Sequence, residues 1–391
     1  MAKQQSYDVV VIGAGVVGCA VAHSLAARKM RVAVVEGNRV GQGTSSNTFA
    51  WINATSKTTD EAYHRLNALG AELYRELARE WGERRIGVHP TGMLEWSSPA
   101  DSARPESMRA AAAQLERWGY PVAWVEGNAL AAMEPHVRFE DGAEGLFAMA
   151  DAWLDVAIFL AFLGERLRAE GARILEQCPA RQLIMDDEGK VLGVDSDAGR
   201  LHTEQVVVAA GADTAELLST LTGYDGFASR FPLRRAPGLL ITTPDGELRR
   251  LTRRILYTSD SNHLHLRETP GGGLLIGADD TDGRISEDGS QDSVKRTAFD
   301  LLERVRHIIP GFKGGELLEH CRLGIGMRPV PTDGMSIAGP MPSATGLHLA
   351  VTHSGITLAP ALGSLIADTI ETGSLAPRLA PFGLGRFQTI A

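Results

Sequence analysis

Residues 9–18 read VVVIGAGVVG, four apolar residues followed by three glycines in the spacing G-x-G-x-x-G. The β-branched run before the first glycine is typical of a buried parallel strand. A helix-compatible stretch follows through Ala27, and RVAVV at residues 31–35 has the composition of a second buried strand, which ends at Glu36. A strand, a glycine-rich turn, a helix and a second strand in this order predict a βαβ unit that binds a dinucleotide.

Each glycine of this motif has a physical role in such a unit. Gly13 allows the tight turn, Gly15 lets a pyrophosphate approach the backbone, and Gly18 lets the helix pack closely on the strand. The phosphates then lie at the positive end of the helix dipole. Glu36 comes 18 residues after Gly18, where its carboxylate can accept hydrogen bonds from ribose hydroxyls and disfavours a 2′-phosphate. NAD and FAD both fit this pattern.

A small, hydroxyl-rich segment, GQGTSSNTFAWIN at residues 41–53, follows the ribose-binding acid. Its backbone amides and Ser/Thr hydroxyls are suited to donate to further phosphate oxygens. Clusters of Gly, Ser and Thr are also common in solvated turns, so a plain surface loop is the alternative interpretation.

Three further segments, together with the N-terminal motif, resemble a known family. VVVAAGA at residues 206–212 is typical of a buried strand that ends in small residues. GMRP at 326–329 is followed by PTDGMSIAG at 331–339, and LAVTHSGITLAP at 349–360 joins a strand to a helix. In this order the segments resemble the D-amino acid oxidase superfamily of FAD enzymes, which includes glycine oxidase and sarcosine oxidase. The resemblance extends over nearly the whole chain.

The resemblance implies an α/β fold class with two parts. A discontinuous Rossmann-like FAD-binding domain is expected from residues 1–88, 151–223 and 322–391. An α+β substrate domain with a mainly antiparallel sheet is expected from residues 89–150 and 224–321. The length of 391 residues also favours two domains over one compact core.

Two helices of the cofactor part are predicted from the residues themselves. Apolar residues three or four apart predict an amphipathic helix over residues 61–85, with Thr58 and Glu61 as its capping box. A second helix is expected over residues 155–169, ending before Gly171.

The resemblance implies FAD as the cofactor, held without a covalent bond. The cysteine that tethers the flavin in sarcosine oxidase corresponds to Gly326, and no histidine stands in the early loop where other relatives attach it. The backbone of Arg181 is expected to contact the adenine. The residues expected to hold FAD are Gly13, Gly15, Val16, Val17, Gly18, Glu36, Gly43, Thr44, Ser45, Ser46, Arg181, Ala210, Gly211, Arg328, Gly355, Ile356 and Thr357.

In this family a flavin accepts a hydride from the substrate α-carbon, and the protein positions the substrate. The resemblance assigns Arg328 to the substrate carboxylate, for which a planar guanidinium is suited; the structural alternative is a pair with Asp333 or with a carbonyl. His353 is expected to contact substrate or flavin, or only to pack. Trp51, Tyr257 and Arg267 are further candidates for lining the pocket.

Other polar residues of the same region carry weaker expectations. Asn53, like Trp51, follows the phosphate loop and is a candidate for reaching the site. His263 and His265 alternate with leucines and are expected on a solvated face. The lysine that sarcosine oxidase uses with oxygen corresponds to a position near Leu275, so oxygen and another electron acceptor both stay open.

Several functions are compatible with these residues. The leading one is FAD-dependent oxidation of a small amine or amino acid to an imine, which hydrolyses. A 2-hydroxy-acid dehydrogenase is an alternative, with His353 as the base that takes the hydroxyl proton. A flavoprotein subunit of a larger electron-transfer complex is another, and a non-catalytic NAD-binding sensor is the weakest because it leaves Arg328 and His353 without a role.

Composition narrows the class of protein further. The formal net charge is −9, with no block of like charges, which argues against a nucleic-acid partner. Cys19, Cys178 and Cys321 lie far apart, so we expect reduced thiols in a cytoplasmic protein and no metal site. The glycines within the N-terminal apolar run argue against a membrane span there. Oligomerisation is possible.

Overall fold

The structure is a computed structural model. It describes residues 5–97, 104–222, 227–246, 251–258, 264–285, 290–342 and 344–387.

In chain order, the strands within the described residues are β1 (Gln5–Ser6), β2 (Val9–Ile12), β3 (Val32–Val35), β4 (Trp51–Ile52), β5 (Val88–His89), β6 (Met93–Ser97), β7 (Val122–Glu126), β8 (Glu144–Ala148), β9 (Ala152–Leu154), β10 (Arg173–Leu175), β11 (Ala180–Met185), β12 (Val191–Ser196), β13 (Gly199–His202), β14 (Val206–Val208), β15 (Leu233–Thr242), β16 (Ile255–Thr258), β17 (Leu264–Glu268), β18 (Leu274–Ala278), β19 (Arg322–Pro331), β20 (Ile337–Pro340) and β21 (Leu347–Val351). The helices are α1 (Val16–Ala27), α2 (Glu61–Trp81), α3 (Glu83–Ile86), α4 (Arg104–Arg117), α5 (Asn128–Met133), α6 (Val156–Ala169), α7 (Thr214–Thr222), α8 (Phe227–Arg230), α9 (Gln291–Ile308) and α10 (Gly355–Thr372).

A six-stranded sheet in the order β10-β3-β2-β14-β21-β20 forms the centre of the cofactor part. Its first five strands pair in parallel and β20 pairs antiparallel with β21. The predicted strand residues Val9, Val10 and Val11 are 0% exposed, as expected for a parallel sheet covered on both faces. Helices α1, α2, α6 and α10 bury their apolar residues in one core on one face of it.

An eight-stranded sheet in the order β19-β15-β18-β17-β16-β6-β8-β7 forms the second part. All of its neighbouring pairs are antiparallel except β16 with β6. Strand β19 pairs with β15 along its whole length, although the expected boundary at residue 322 assigns it to the cofactor part. Arg328 therefore lies on the edge strand of this sheet. The exact division of the chain into domains stays a prediction.

The observed fold confirms the α/β class and modifies one predicted helix. Helix α2 ends at Trp81, and a separate short helix α3 follows. The N-cap of α2 is Asp60, whose Oδ1 accepts a hydrogen bond from the Tyr63 N–H at 2.7 Å. The predicted capping box with Thr58 is therefore wrong. Aspartate directly before the first helical residue is the better cap because its carboxylate reaches the free amides of the first turn.

Candidate active site

The glycine-rich turn brings β2, α1 and β14 unusually close together. Gly13 has φ of +104°, and a Cβ there would lie 2.5 Å from the carbonyl oxygen of Ala209. A Cβ at Gly18 would lie 1.9 Å from the carbonyl oxygen of Gly13. Any side chain at these two positions would separate the helix from the sheet, so the roles predicted for Gly13 and Gly18 match the geometry.

Glu36 lies at the carboxyl end of β3 and holds the turn from the other side. Its Oε2 accepts a hydrogen bond from the Ala14 N–H at 2.7 Å, and its Oε1 accepts one from the Asn38 N–H at 2.8 Å. The carboxylate is therefore fixed at the edge of the turn, where a ribose would meet its remaining lone pairs.

A cleft of about 440 Å³ opens along this turn, and we call it the cofactor cleft. Most residues predicted to hold FAD line it: Gly13, Gly15, Val16, Val17, Glu36, Gly43, Thr44, Ser45, Ala210, Gly211 and Gly355. The Val16 N–H at the start of α1 donates a hydrogen bond to Ser45 Oγ at 3.1 Å. This backbone amide is therefore directed into the cleft, where it is suited to donate to a phosphate oxygen.

The remaining predicted cofactor residues lie outside this cleft. Arg328, Ile356 and Thr357 line the neighbouring cavity described below, and Ser46 lines a third one. The side chain of Arg181 forms an exposed ion pair with Asp197, with N–O distances of 2.7 and 2.8 Å. Its neighbour Ala180 lines the cleft, and a backbone contact of Arg181 to adenine stays a prediction.

Glu36 gives the first testable prediction. We expect Glu36→Ala to raise the Kd for FAD roughly tenfold to a hundredfold, because it removes charge-assisted bonds of about 1.5–3 kcal/mol and releases the Ala14 amide. Dialysis against graded FAD, followed by flavin fluorescence, measures this. The control is Glu80→Ala on the exposed face of α2, which should leave the Kd unchanged. Equal affinity of the two variants would contradict the role of Glu36.

A second cavity of about 700 Å³ adjoins the cleft and shares Thr44 and Asn47 with it. We call it the substrate cavity. Of the predicted substrate residues, Trp51, Asn53, Tyr257, Arg328 and His353 line it. It also contains charged residues that the sequence did not single out: Lys57, Glu95, Arg104 and Asp279.

One row across the eight-stranded sheet forms a wall of the substrate cavity. Tyr257 pairs in register with Glu95 on one side and with His265 on the other. The Tyr257 hydroxyl donates to Asp279 Oδ2 at 3.1 Å. Burial, together with Asp279 and Glu95, raises the pKa of Tyr257 above its ordinary value, so this hydroxyl stays a hydrogen-bond donor.

His265 lies in this row, and its expected position on a solvated face is wrong. Its ring stacks parallel to Tyr257, with centroids 6.4 Å apart, and meets the edge of Phe49 at 4.6 Å. A Cβ at Gly277 on the next strand would lie 2.4 Å from His265 Nε2, so the absence of a side chain there makes room for the imidazole. His263 lies outside the described residues.

Arg328 lines the substrate cavity from the middle of β19. The alternative partner considered for it, Asp333, is bound by another arginine: Arg386 donates to its two carboxylate oxygens at 2.7 and 3.1 Å. The interpretation of Arg328 as the partner of Asp333 is therefore not supported. A pair with a carbonyl is still the structural alternative, and the contact with a substrate carboxylate stays a prediction.

His353 follows β21 and lies at the entrance to α10. Its Nε2 is 2.8 Å from the carbonyl oxygen of Gly334 and 3.3 Å from the Tyr63 hydroxyl. Burial, followed by the charge of Lys57, lowers the pKa of His353 to about 4, so the ring is neutral near pH 7. The Nε2 must carry the proton to donate to the carbonyl, so Nδ1 is the only ring nitrogen that can act as a base. Because the pKa of the ring is lowered, Nδ1 is a weak base, and this weakens the hydroxy-acid alternative.

Trp51 is held in place by Asp151, an aspartate that the sequence did not single out. Asp151 is 0% exposed; its Oδ2 accepts from Trp51 Nε1 at 2.8 Å, and its Oδ1 accepts from Thr55 Oγ1 and Tyr120 OH, each at 2.7 Å. Burial raises its pKa to about 7 despite these three donors. Since Trp51 and Thr55 both line the substrate cavity, Asp151 fixes that wall from behind.

Arg267 does not line the substrate cavity. It is 5% exposed, donates from Nε to the carbonyl oxygen of Phe49 at 2.9 Å, and stacks 4.1 Å from the ring centroid of Trp153. It borders a third cavity of about 950 Å³, which Leu275 also lines. The alternation of side chains along β17 is compatible with this position of Arg267. The local sequence does not predict it, because the aromatic residues that enclose Arg267, Phe49 and Trp153, come from distant parts of the chain.

The described residues contain no group of three or more His, Cys, Asp or Glu arranged to hold a metal ion. Among the helices in the described ranges, none has the length and apolar character needed to cross a bilayer.

The FAD-dependent oxidoreductase family (DAO) matches residues 8–369 of the chain. The chain belongs to this family. The prediction of FAD as the cofactor is thereby confirmed, and the cleft, with its glycine turn and fixed acid, fits that group. The DAO-family fold also accounts for the parallel sheet beside an antiparallel one.

Individual proteins resemble the chain over almost its full length. Glycine oxidase of Geobacillus kaustophilus is 29% identical over 390 residues, covering 97% of both proteins. The crystal structure of glycine oxidase from that organism superposes with a TM-score of 0.78 at 25% identity, covering 97% of this chain and 99% of that one. L-proline dehydrogenase from P. horikoshii, at 20% identity and a TM-score of 0.82 over 98% of both chains, shares the fold.

Proposed function

We propose that this protein oxidises a small amine or amino acid at the substrate cavity, using FAD held without a covalent bond. The observation that carries the proposal is the place of Arg328, on the edge strand β19 and in the cavity next to the cofactor cleft. The similarity to glycine oxidase of Geobacillus kaustophilus supports the same class of substrate.

Different residues of the substrate cavity bind the substrate carboxylate and form the cavity walls. Arg328 is suited to bind the substrate carboxylate through two parallel N–H bonds, which orients the α-carbon. Trp51, fixed by Asp151, and Tyr257, fixed by Asp279, form walls that limit how the substrate can turn. When bound, FAD supplies a two-electron acceptor that takes the α-hydrogen as hydride.

The substrate reacts with its amine uncharged, because the nitrogen lone pair forms the C=N bond as the hydride leaves. Water then adds to the imine, which yields a carbonyl compound and ammonia or a smaller amine. The two electrons pass to oxygen or to another acceptor. The acceptor, the oligomeric state and a cytoplasmic location remain predictions from the sequence.

An anaerobic titration tests this function. We expect the flavin absorbance of the holoenzyme to bleach with at least one member of a panel of amines and amino acids, with one carbonyl product and one nitrogen product formed per flavin. A panel of 2-hydroxy acids serves as the comparison. Bleaching by hydroxy acids alone would overturn the proposal in favour of the hydroxy-acid dehydrogenase.

A further inference from the structure

A cation-rich cavity of about 800 Å³ lies beyond Arg328 and His353. We call it the rear chamber; its walls include Lys57, Tyr63, Arg234, Arg328, Asp333 and His353. It shares Ser56, Lys57, Arg328 and His353 with the substrate cavity, so the two cavities adjoin at these residues.

The carboxylates that line the rear chamber are already committed within the fold. Asp333 is bound by Arg386, and Asp60 caps α2 through the Tyr63 N–H. Neither carboxylate is therefore positioned mainly to neutralise the cations of the chamber.

The cations of the rear chamber outnumber these carboxylates, since Lys57, Arg234, Arg235 and Arg328 all line it. Arg235 forms an ion pair with Asp213, which lies outside the chamber, at 2.9 Å. Arg234 is exposed. Lys57 and Arg234 therefore place positive charge beside the site for the substrate carboxylate, and this charge is complementary to a second anionic group.

Lys57 is the cation best placed to meet that group. It lies between the two cavities, half-buried, with Nζ 5.8 Å from the ring centroid of Tyr63. Burial and then the repulsion of Arg328 lower its pKa to about 8, against the attraction of Asp279. Asp279 attracts Lys57, but its Oδ2 already accepts a hydrogen bond from the Tyr257 hydroxyl at 3.1 Å.

We propose that Lys57 binds a second carboxylate of the substrate, so that the enzyme prefers amines and amino acids that carry two carboxylates. Arg328 holds the carboxylate next to the reacting carbon, and Lys57 holds the distal one in the rear chamber. This inference rests on the proposed function for its reaction, but the binding site it names is separate from that reaction.

Anaerobic flavin reduction by matched substrates tests the preference. The panel pairs aspartate, glutamate (both enantiomers) and iminodiacetate with alanine, glycine and sarcosine. We expect wild-type kcat/KM to be higher for the dicarboxylates. Lys57→Met should lower their kcat/KM roughly tenfold to a hundredfold, the loss of one charged hydrogen bond, and should lower kcat/KM for the substrates with one carboxylate by a clearly smaller factor. Lys57→Arg should retain the preference.

A binding measurement keeps this inference separate from the proposed function. Succinate and glutarate have no amine to oxidise, and we expect them to perturb the flavin spectrum of the wild type at lower concentration than acetate does. Lys57→Met should lose that difference. The control is Lys29→Met, a surface lysine paired with Glu170, which should bind as the wild type does. Binding of the diacids without oxidation of any amine would support the chamber and refute the oxidation.

Two results would overturn the inference. One is an equal loss in Lys57→Met for one-carboxylate and two-carboxylate substrates. The other is a wild type that neither binds the diacids nor favours dicarboxylic amines. A flavin spectrum that matches the wild type confirms in each case that the variant is folded and loaded.

Discussion

Arg328→Met is expected to lower kcat/KM for an amino acid about 10²- to 10⁴-fold. The change leaves a desolvated carboxylate without its charged partner, which costs about 3–5 kcal/mol, and each 1.4 kcal/mol is about a factor of ten. FAD affinity should change much less, because Arg328 lies outside the cofactor cleft that holds the glycine turn and Glu36. Steady-state kinetics on the FAD-saturated variant measure the loss.

The substrate supplies the sharpest control for this variant. An amine without a carboxylate has nothing to lose at Arg328, so its kcat/KM should be nearly the same in wild type and variant. Arg200→Met, which removes a surface arginine paired with Asp195, should affect neither substrate. An equal loss for amines and amino acids would show that Arg328 supports the cavity structurally and does not bind the carboxylate.

Asp151→Ala is expected to lower the free energy of unfolding by about 3–5 kcal/mol. It leaves the buried donors of Trp51, Thr55 and Tyr120 without their acceptor, and each unsatisfied buried group costs about 1–3 kcal/mol. The freed indole of Trp51 should also weaken substrate binding. Urea unfolding of the FAD-saturated protein, with KM measured in parallel, tests both effects.

Two milder variants separate the hydrogen bonds from the charge. Tyr120→Phe removes one donor to Asp151 and the acceptor of the buried Ala54 N–H, so it should cost about 1–3 kcal/mol and raise KM less than Asp151→Ala does, because Tyr120 does not line the substrate cavity. Burial raises the pKa of Asp151 to about 7, so the group favours the folded state at low pH and this contribution is lost as pH rises towards 7. Asp151→Asn, which does not titrate, should lose that pH dependence; its retention would contradict the assignment.

The cofactor half of the site could be predicted because its signals are local. The glycine spacing, the acid at the end of β3 and the loop of hydroxyl residues are each contained in a short segment whose geometry follows from that segment. Gly13 and Gly18 therefore have the close backbone contacts expected of them, and Glu36 is bound to the turn, while its contact with a ribose stays a prediction.

The substrate half could be predicted only in part, because strand register and long-range contacts decide it. The sequence around His265 is typical of one face of an exposed strand, and only its neighbours Tyr257, Gly277 and Phe49 show otherwise. The sequence around Asp151 is typical of a solvated turn. Only the fold shows that Asp151 is buried and accepts hydrogen bonds from Trp51 and Thr55. Lys57 belongs to no recognisable sequence motif. It is a candidate for binding substrate only because it lines both the substrate cavity and the rear chamber.

The most direct test of the central claim is the rate of anaerobic flavin reduction by one amino acid with either hydrogen or deuterium at its α-carbon. We expect the flavin band of the wild type to bleach, several-fold more slowly with deuterium, and the bleaching to become far slower for both forms in Arg328→Met. A flavin that no amine or amino acid reduces, or reduction that Arg328→Met leaves unchanged, would contradict oxidation of an amino acid at this cavity.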